Sequence, residues 1–587
     1  MPPVVAAAAV ACLVYVSVLV YRLCRNILNG RKTGLPVVVV PLDQNHILWM
    51  LLAVPCRPTL KRILPNFIWE RITISIYGWE FHERRKPYQK YAGNGKSFML
   101  AGCGKLELWT GDAEMTYEIL RRPQDFVQLD LTTLFMAPFG RNVLTEDGES
   151  WARQRKIVAS VINERISKAV FDEGIRQTQQ MVEEIYEQAA PGQVSVESNQ
   201  LFDSLKKITI HILSGAGMGA SVPWKNGDGE KPKPGFKMSY IDTVKAVIYA
   251  VTGPILLPTW LLLRWPSWLP GHDKLTELGC AKVEFPKHTA LMLEEERLRS
   301  ESSKGKSRSN IMSQLLQASQ QEQAHKRLSD EEMMGNLFVF TAAGFDTTAN
   351  TLSFALMFLA RYPQWHDWLL EEIDEIMPTN PDETLDYSTS YPRAQRIMAF
   401  MLETLRLCPA LIHIAKMTNG PQTITTSSGT YCFPPMTTVY GNVVMLHLDP
   451  EVWRDVNHAS DPDFVRQSKD DRDDEFHFRP SRWINPSSSP QPFFQPRKGS
   501  FVPWSAGPRV CPGQKMAQVE FTAVMLALLR RHRIDAVPIG QETLTETEAR
   551  LDATIQDSIS ILTLQMNAVY DVGDSGKGVN LRVSLRK

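Results

Sequence analysis

The stretch Trp504-Ser-Ala-Gly-Pro-Arg-Val-Cys-Pro-Gly513, WSAGPRVCPG, places one of the chain's eight cysteines among two prolines, two glycines and an arginine. Pro508 and Pro512 fix φ at two points, and Gly507 and Gly513 let the backbone turn tightly. An apolar-periodic helix begins directly afterwards, over about residues 514–530. Backbone N–H groups and the helix dipole favour a thiolate at such a position. A thiolate held there either attacks a substrate or binds a metal. A nucleophile wants a histidine base, and no nearby histidine offers one. A rigid, water-poor loop suits a permanent metal ligand better.

The clearest helix elsewhere runs from Ser329 to Tyr362. Ser329 and Glu332 form a capping box, and Pro363 marks the stop. Residues 335–345 carry no charge, so this helix is expected to cross the protein's interior. Ala343-Gly-Phe-Asp-Thr-Thr348 interrupts it with a carboxylate and two hydroxyls. Either Thr347 bonds back to a carbonyl while Asp346 finds an arginine, or Gly344 makes room for a diatomic molecule to which Asp346 and Thr347 relay protons. Glu403 and Arg406 share a helix face, but the same spacing occurs at Glu118/Arg121 and Glu451/Arg454 and means little alone. Trp151 and Arg155, four apart, read equally as a core tryptophan beside an exposed arginine. Ser214-Gly-Ala-Gly-Met-Gly219 hints at a dinucleotide loop, but prolines and glycines follow where the required helix should be.

Lysine plus arginine equals aspartate plus glutamate at 64 each in 587 residues. No global charge argues for nucleic acid. The cysteines are scattered, without the paired spacing of a zinc ribbon or a disulfide scaffold. Met1 to Tyr21 carries no charged side chain, and Arg22, Arg25, Arg31 and Lys32 follow. About 20 apolar residues cross a bilayer. Positive charge after the run, rather than before it, favours a retained anchor over a cleaved signal, with its N-terminus lumenal and the remainder cytosolic.

Residues 92–112 read as two short strands, and residues 150–219 as helical. Gly253–Pro270, with three tryptophans, is either a loop packed on the core or one that dips into a membrane interface. Asp470–Glu475 reads as a solvated acidic loop. Residues 559–565 and 579–585 read as strands of one hairpin turning at Asp571–Gly578. The organisation expected is an anchor at 1–21, a juxtamembrane linker at 22–60 and one catalytic domain at 61–587.

Trp504-x-x-Gly507-x-Arg509-x-Cys511-x-Gly513 resembles the haem-binding loop of the cytochromes P-450, whose first position is usually phenylalanine. Trp151/Arg155, Ala343–Thr348, Glu403/Arg406 and Phe478-Arg-Pro-Ser-Arg-Trp483 follow that family's order along the chain. The resemblance implies a mainly α fold with small β-sheets (α+β) behind one transmembrane helix. It implies haem b with Cys511 as thiolate and metal ligand. Trp151, Arg155, Ala343, Gly344, Trp504, Arg509 and Gly513 would contact the haem, with Lys416 as a further propionate partner. Asp346 and Thr347 would deliver protons for oxygen activation, and Glu403, Arg406 and Arg482 would form a structural triad.

Such a protein would insert one atom of O2 into a lipophilic small molecule, in the manner of fungal microsomal members of specialised metabolism. Phe340, Ala343 and residues 411–414 would contribute to its pocket. It would sit in the endoplasmic reticulum membrane, among lipid. Its electrons would come from an NADPH-dependent flavoprotein reductase, with cytochrome b5 as an additional candidate donor. Two departures stand out: Trp504 for phenylalanine, which is expected to tune the iron, and Ser481 for a frequent glutamate. The competing expectations are a haem-thiolate isomerase or dehydratase that needs no reductase, and a haem-binding sensor.

Overall fold

In the computed structural model, the run after Ser329 is one uninterrupted helix, Asp330–Arg361. The Ser329 hydroxyl accepts the Glu332 N–H, and the Glu332 carboxylate accepts the Ser329 N–H, closing the expected capping box. Buried residues lie on nearly every face of it, from Met333 to Ala360. Around it pack the helices Leu201–Ile212, Gln395–Leu407 and Gln514–Leu529. The last of these also lies along Glu164–Glu187. The residues described are 3–93, 95–187, 189–190, 192–220, 222–225, 232–250, 253–302, 309–377, 385–454, 473–484, 493–567 and 579–586.

Beside this helical mass lies a six-stranded sheet, in the order β1-β2-β3-β9-β6-β4. Its strands are β1 (Val37–Val39), β2 (Ser97–Ala101), β3 (Leu106–Thr110), β4 (Phe126–Val127), β6 (His413–Thr418) and β9 (Thr438–Asn442). β2 and β3 are the pair expected around residues 92–112, in antiparallel register with Phe98 opposite Trp109. β7 (Gln422–Thr426) and β8 (Gly429–Phe433) form a separate hairpin. β5 (Ser195–Ser198) interrupts the otherwise helical 150–219 region. The mainly α fold with small sheets is the class expected.

The expected C-terminal hairpin does not form between the segments named. β11 (Ser558–Ser560) pairs with β12 (Leu564–Met566). β13 (Leu581–Leu585) instead lies between β10 (His532–Ala536) and β5. Residues 571–578 lie outside the described residues. Alternation along a strand says which face is buried but not which partner it meets, so adjacency in sequence misled.

The first helix, α1 (Pro3–Arg31), outruns the anchor drawn at residue 21. Most of its residues between 5 and 25 are exposed, and it is long and apolar enough to cross a membrane. Asn26 is buried, and its side-chain amide donates to the carbonyls of Gly102 and Gly104 at 2.9 Å each. The end of α1 is therefore docked on the sheet. The 22–60 stretch is not a plain connector, since β1 pairs in parallel with β2. Residue 60 falls inside α2 (Ile47–Ile63).

The Gly253–Pro270 stretch packs on the core at some residues and is open at others. Ile255 and Leu262 are buried, while Trp260 and Trp268 are 63% and 80% exposed. The acidic loop is a correction. Residues 470–472 lie outside the described residues, but Asp474 and Glu475 are buried. Asp474 meets Arg479 and Arg482, and Glu475 meets Arg85 and Arg454. Arginines brought in by the fold offset the desolvation that would otherwise keep these carboxylates in water.

Candidate active site

One close glycine approach and one left-handed serine shape the cysteine loop. Gly507 has φ +68°, and a Cβ there would meet the Leu120 carbonyl oxygen at 2.5 Å. Ser505 also sits at positive φ, 64°. The Cys511 N–H donates to the Trp504 carbonyl at 2.9 Å, and the Val510 N–H to that of Gly507 at 3.1 Å. The helix Gln514–Leu529 starts immediately after, as expected.

The loop lines a cavity of about 680 Å³, which the long central helix also lines at Phe340, Ala343, Gly344 and Thr347. The surface that Cys511 exposes faces this cavity. Burial pushes the thiol's pKa up, against the N–H groups of Gly513 and Gln514 and the charge of Arg155. The sequence pointed to a stabilised thiolate, but in the bare chain desolvation wins. Coordination by a metal cation reverses that balance, because a coordinating thiol is deprotonated outright. Cys511 has no histidine partner among the described residues. Among the described residues, no group of three or more His, Cys, Asp or Glu could hold a metal ion. A metal bound by this thiol must bring its other ligands with it.

The cavity wall near Cys511 is also rich in cations. Arg155, Arg509 and Lys416 all line it. Burial lowers the Arg509 pKa; Asp147 opposes the shift and Arg155 adds to it. Lys416 is lowered to about 7, by burial first and then by Arg509. Among the described residues Asp147 is the carboxylate that pairs with Arg509, whose Nη2 also donates to the Glu146 carbonyl at 2.7 Å, and Lys416 donates to the neutral Gln128 at 2.8 Å. The Arg509 guanidinium lies 4.5 Å from the Trp151 ring, and its buried Nε has no partner. Three cations around one carboxylate leave room for added negative charge, which a macrocycle bearing two carboxylates would supply. The residues therefore fit haem.

Thr347 back-bonds to the Ala343 carbonyl at 2.7 Å, the plainer of its two expected behaviours. Asp346 does not find an arginine. Its Oδ2 accepts the Thr563 hydroxyl at 2.5 Å, and Lys206 is its nearby cation. Burial raises the Asp346 pKa against those two partners. Asp346 is not on the cavity wall, whereas Thr347 and Thr563 are. The carboxylate therefore reaches the cavity through a threonine far along the chain. Gly344 has a packing role as well: a Cβ there would stand 3.0 Å from Leu213 Cδ2. Leu213 opens the Gly-rich turn that had mimicked a dinucleotide loop, and that turn continues a helix.

Glu403 and Arg406 form a two-bond pair at 2.8 Å, fully buried. Arg482 Nε joins Glu403 at 3.0 Å, and the Trp483 indole and the Arg479 N–H complete its shell. Arg406 also donates to the carbonyls of His447, Glu475 and His477. Burial alone would raise the Glu403 pKa; Arg406 and Arg482 outweigh it and hold the group at about 2. This group lies behind the cavity and knits the segment 473–483 to the Gln395–Leu407 helix.

Sequence reasoning missed Thr563, Lys206 and Asp147. None stands in a motif, and each meets its partner only through the fold.

A helical protein with a lone cysteine, a cation-rich wall and a threonine-bearing helix around one cavity defines a haem-thiolate enzyme. The chain belongs to the cytochrome P450 family, whose model, described as Cytochrome P450, matches residues 67–458 and 473–558. It is 43% identical to the phomenoic acid biosynthesis cluster cytochrome P450 monooxygenase of Leptosphaeria maculans, over 92% of this chain and 93% of that one. It is 25% identical to the cytochrome P450 monooxygenase ORF6 of Penicillium roqueforti, over 88% and 89%. Its fold matches the retinoic acid bound cyanobacterial CYP120A1 with TM-score 0.59 at 14% identity, over 86% of this chain and 94% of that one. The protein is thus a cytochrome P450 monooxygenase that carries haem on a cysteine thiolate and works with O2, a substrate and a reductase.

Proposed function

We propose that Cys511 is the haem's thiolate ligand and that the enzyme inserts one atom of O2 into a lipophilic small molecule of fungal specialised metabolism. The observation that carries this is the convergence of Cys511, the Arg155–Arg509–Lys416 cations and Thr347 on one largely apolar cavity. Haem, when bound, supplies dioxygen activation, which thiolate donation favours. The chain's own residues do the rest. Arg155, Arg509, Lys416 and the Trp151 indole would hold the two haem carboxylates by charge-assisted hydrogen bonds. Ala343 and Gly344 line the cavity on the central helix beside Thr347. Thr347 would pass protons at its Oγ1, and Asp346, which accepts the Thr563 hydroxyl, would feed that relay when its own carboxyl is protonated. Apolar walls keep bulk water away. Incubation with isotopically heavy dioxygen, NADPH and a flavoprotein reductase should place one heavy atom in product. Turnover without NADPH or reductase would favour the isomerase alternative.

General acid–base groups typically contribute about 10²–10⁴-fold. Asp346→Asn is therefore expected to cut turnover by about 10²-fold and to lower product formed per NADPH consumed. Thr563→Val should lower that coupling too, with less effect on haem content. Coupling unchanged in both variants would remove the relay role.

The proposed location is the endoplasmic reticulum membrane, with α1 spanning once and the catalytic domain cytosolic. The reductase is an NADPH-dependent flavoprotein in the same membrane, with cytochrome b5 as an additional donor. A second lipid contact comes from Leu48, Leu51 and Leu52 of α2 with Trp260, Leu263 and Trp268, all exposed. A Cβ on Gly253 would stand 3.5 Å from Leu51, so the two segments are neighbours. Tryptophan favours the membrane interface. Protein lacking residues 1–21 is expected to still sediment with phospholipid vesicles. Adding Trp260→Ser and Trp268→Ser should release it. Complete release by the truncation alone would refute the second contact.

A further inference from the structure

One histidine lines the cavity: His413, at the start of β6. Its Nδ1 bonds the Glu80 carboxylate, carried on the short helix Trp79–Glu83. The side chains of His413 and Glu80 are 10% and 1% exposed. Three aromatic rings box the imidazole edge-on: Tyr440 at 5.0 Å, Tyr77 at 5.4 Å and Trp109 at 5.9 Å. Trp109 and Tyr440 are themselves stacked at 4.3 Å. The ring is therefore fixed in place, with Nδ1 turned to the Glu80 carboxylate. Nε2 has no protein partner among the described residues. That nitrogen is left for a polar group of a cavity ligand to bond.

The surroundings decide what that group is. Of the cavity's cations, Arg155 and Arg509 lie towards Cys511, while Lys416, three residues beyond His413 on β6, is bonded to Gln128. Glu107 is pushed up to about 8 by burial and then by the charges of Asp43 and Glu80. Arg57, the cation near Glu80, is already paired with Glu83 at 2.9 Å. A substrate carboxylate brought here would lie close to the Glu80 carboxylate. A hydroxyl can donate to Nε2 or accept from it, and it brings no charge.

We infer that the His413–Glu80 pair is a specificity site for a substrate hydroxyl, so that this enzyme oxidises a lipophilic molecule already bearing an alcohol. This rests on the proposed monooxygenase function, and names its substrate class. His413 orients and selects; it takes no part in oxygen chemistry. An alcohol held at one end of the cavity fixes which carbon lies beside Thr347.

The test is a titration of purified holoenzyme with 1-dodecanol, dodecyl methyl ether and dodecanoate, followed by the haem spin-state shift. The alcohol is expected to bind about tenfold tighter than the ether, equivalent to about 1.4 kcal/mol. His413→Phe, which suits the aromatic box, should bring the two to equal affinity while leaving the ferrous–CO band intact. Equal binding of alcohol and ether by the wild type, tightest binding of dodecanoate, or an alcohol preference kept by His413→Phe would each overturn the inference. So would the absence of any shift in protein with a normal ferrous–CO band. Absence of that band in the wild type would instead overturn the haem-thiolate assignment.

Discussion

Cys511→Ser is expected to give a folded protein whose ferrous–CO complex lacks the thiolate band and whose turnover falls by at least about 10³-fold, or about 4 kcal/mol of barrier. The fold should survive because the loop is held by its backbone. The Cys511 N–H bond to Trp504 and the Val510 N–H bond to Gly507 do not involve the sulfur. Serine is close in size and exposes the same face to the cavity. What changes is the donor. An alcohol at this position has no thiolate charge to offer, and the push of electron density that favours O–O cleavage is lost. Gly507→Ala is the useful contrast. It leaves the sulfur untouched but strains a residue at φ +68° and drives a methyl into the Leu120 carbonyl. It should cost stability and haem content together, whereas Cys511→Ser costs activity and the spectral band while the far-UV circular dichroism melt stays near wild type. A Cys511→Ser protein with the normal thiolate band would sink the assignment.

The features legible in sequence share one property: their meaning lies within a few residues. WSAGPRVCPG carries its turn residues, its charge and its thiol in ten positions. The Ser329 capping box and the Pro363 stop define the central helix locally. What was not legible depends on distant partners. Asp346 finds Thr563, 217 residues away, and His413 finds Glu80, 333 residues away. No spacing rule relates such pairs. Asp474 and Glu475 looked solvated because an acidic run ordinarily is; the arginines that bury them come from four separate positions. Hydropathy likewise marked the apolar start of α1 but could not show that Asn26 grips the sheet. The triad lies between these cases. Glu403 and Arg406 were visible as one pair among many of equal spacing, and their weight came from Arg482 and the carbonyls gathered around them.

That gathering sets the second large effect. Glu403→Gln is expected to abolish soluble, haem-containing protein, because it strips the buried Arg406 of its paired carboxylate and leaves Arg482 with Asp474 alone. Breaking a buried pair costs about 3–5 kcal/mol, against total stabilities of about 5–15 kcal/mol. Since such a variant is expected not to fold, the wild-type pH response carries an independent measure. The Glu403 pKa is about 2 in the folded chain against an ordinary 4.5. A depressed carboxylate pKa means the unfolded chain binds the proton more readily, so the stabilisation is complete above about 4.5 and is lost as pH falls towards 2. The difference corresponds to about 3 kcal/mol. Arg482→Met removes one of the two cations that outweigh burial at Glu403, so its carboxyl should protonate at higher pH. The midpoint of acid unfolding, followed by tryptophan fluorescence, should then move upward from the wild-type value. A midpoint that stays in place, in protein confirmed to be folded at neutral pH, would mean that Arg482 does not hold the charge on Glu403.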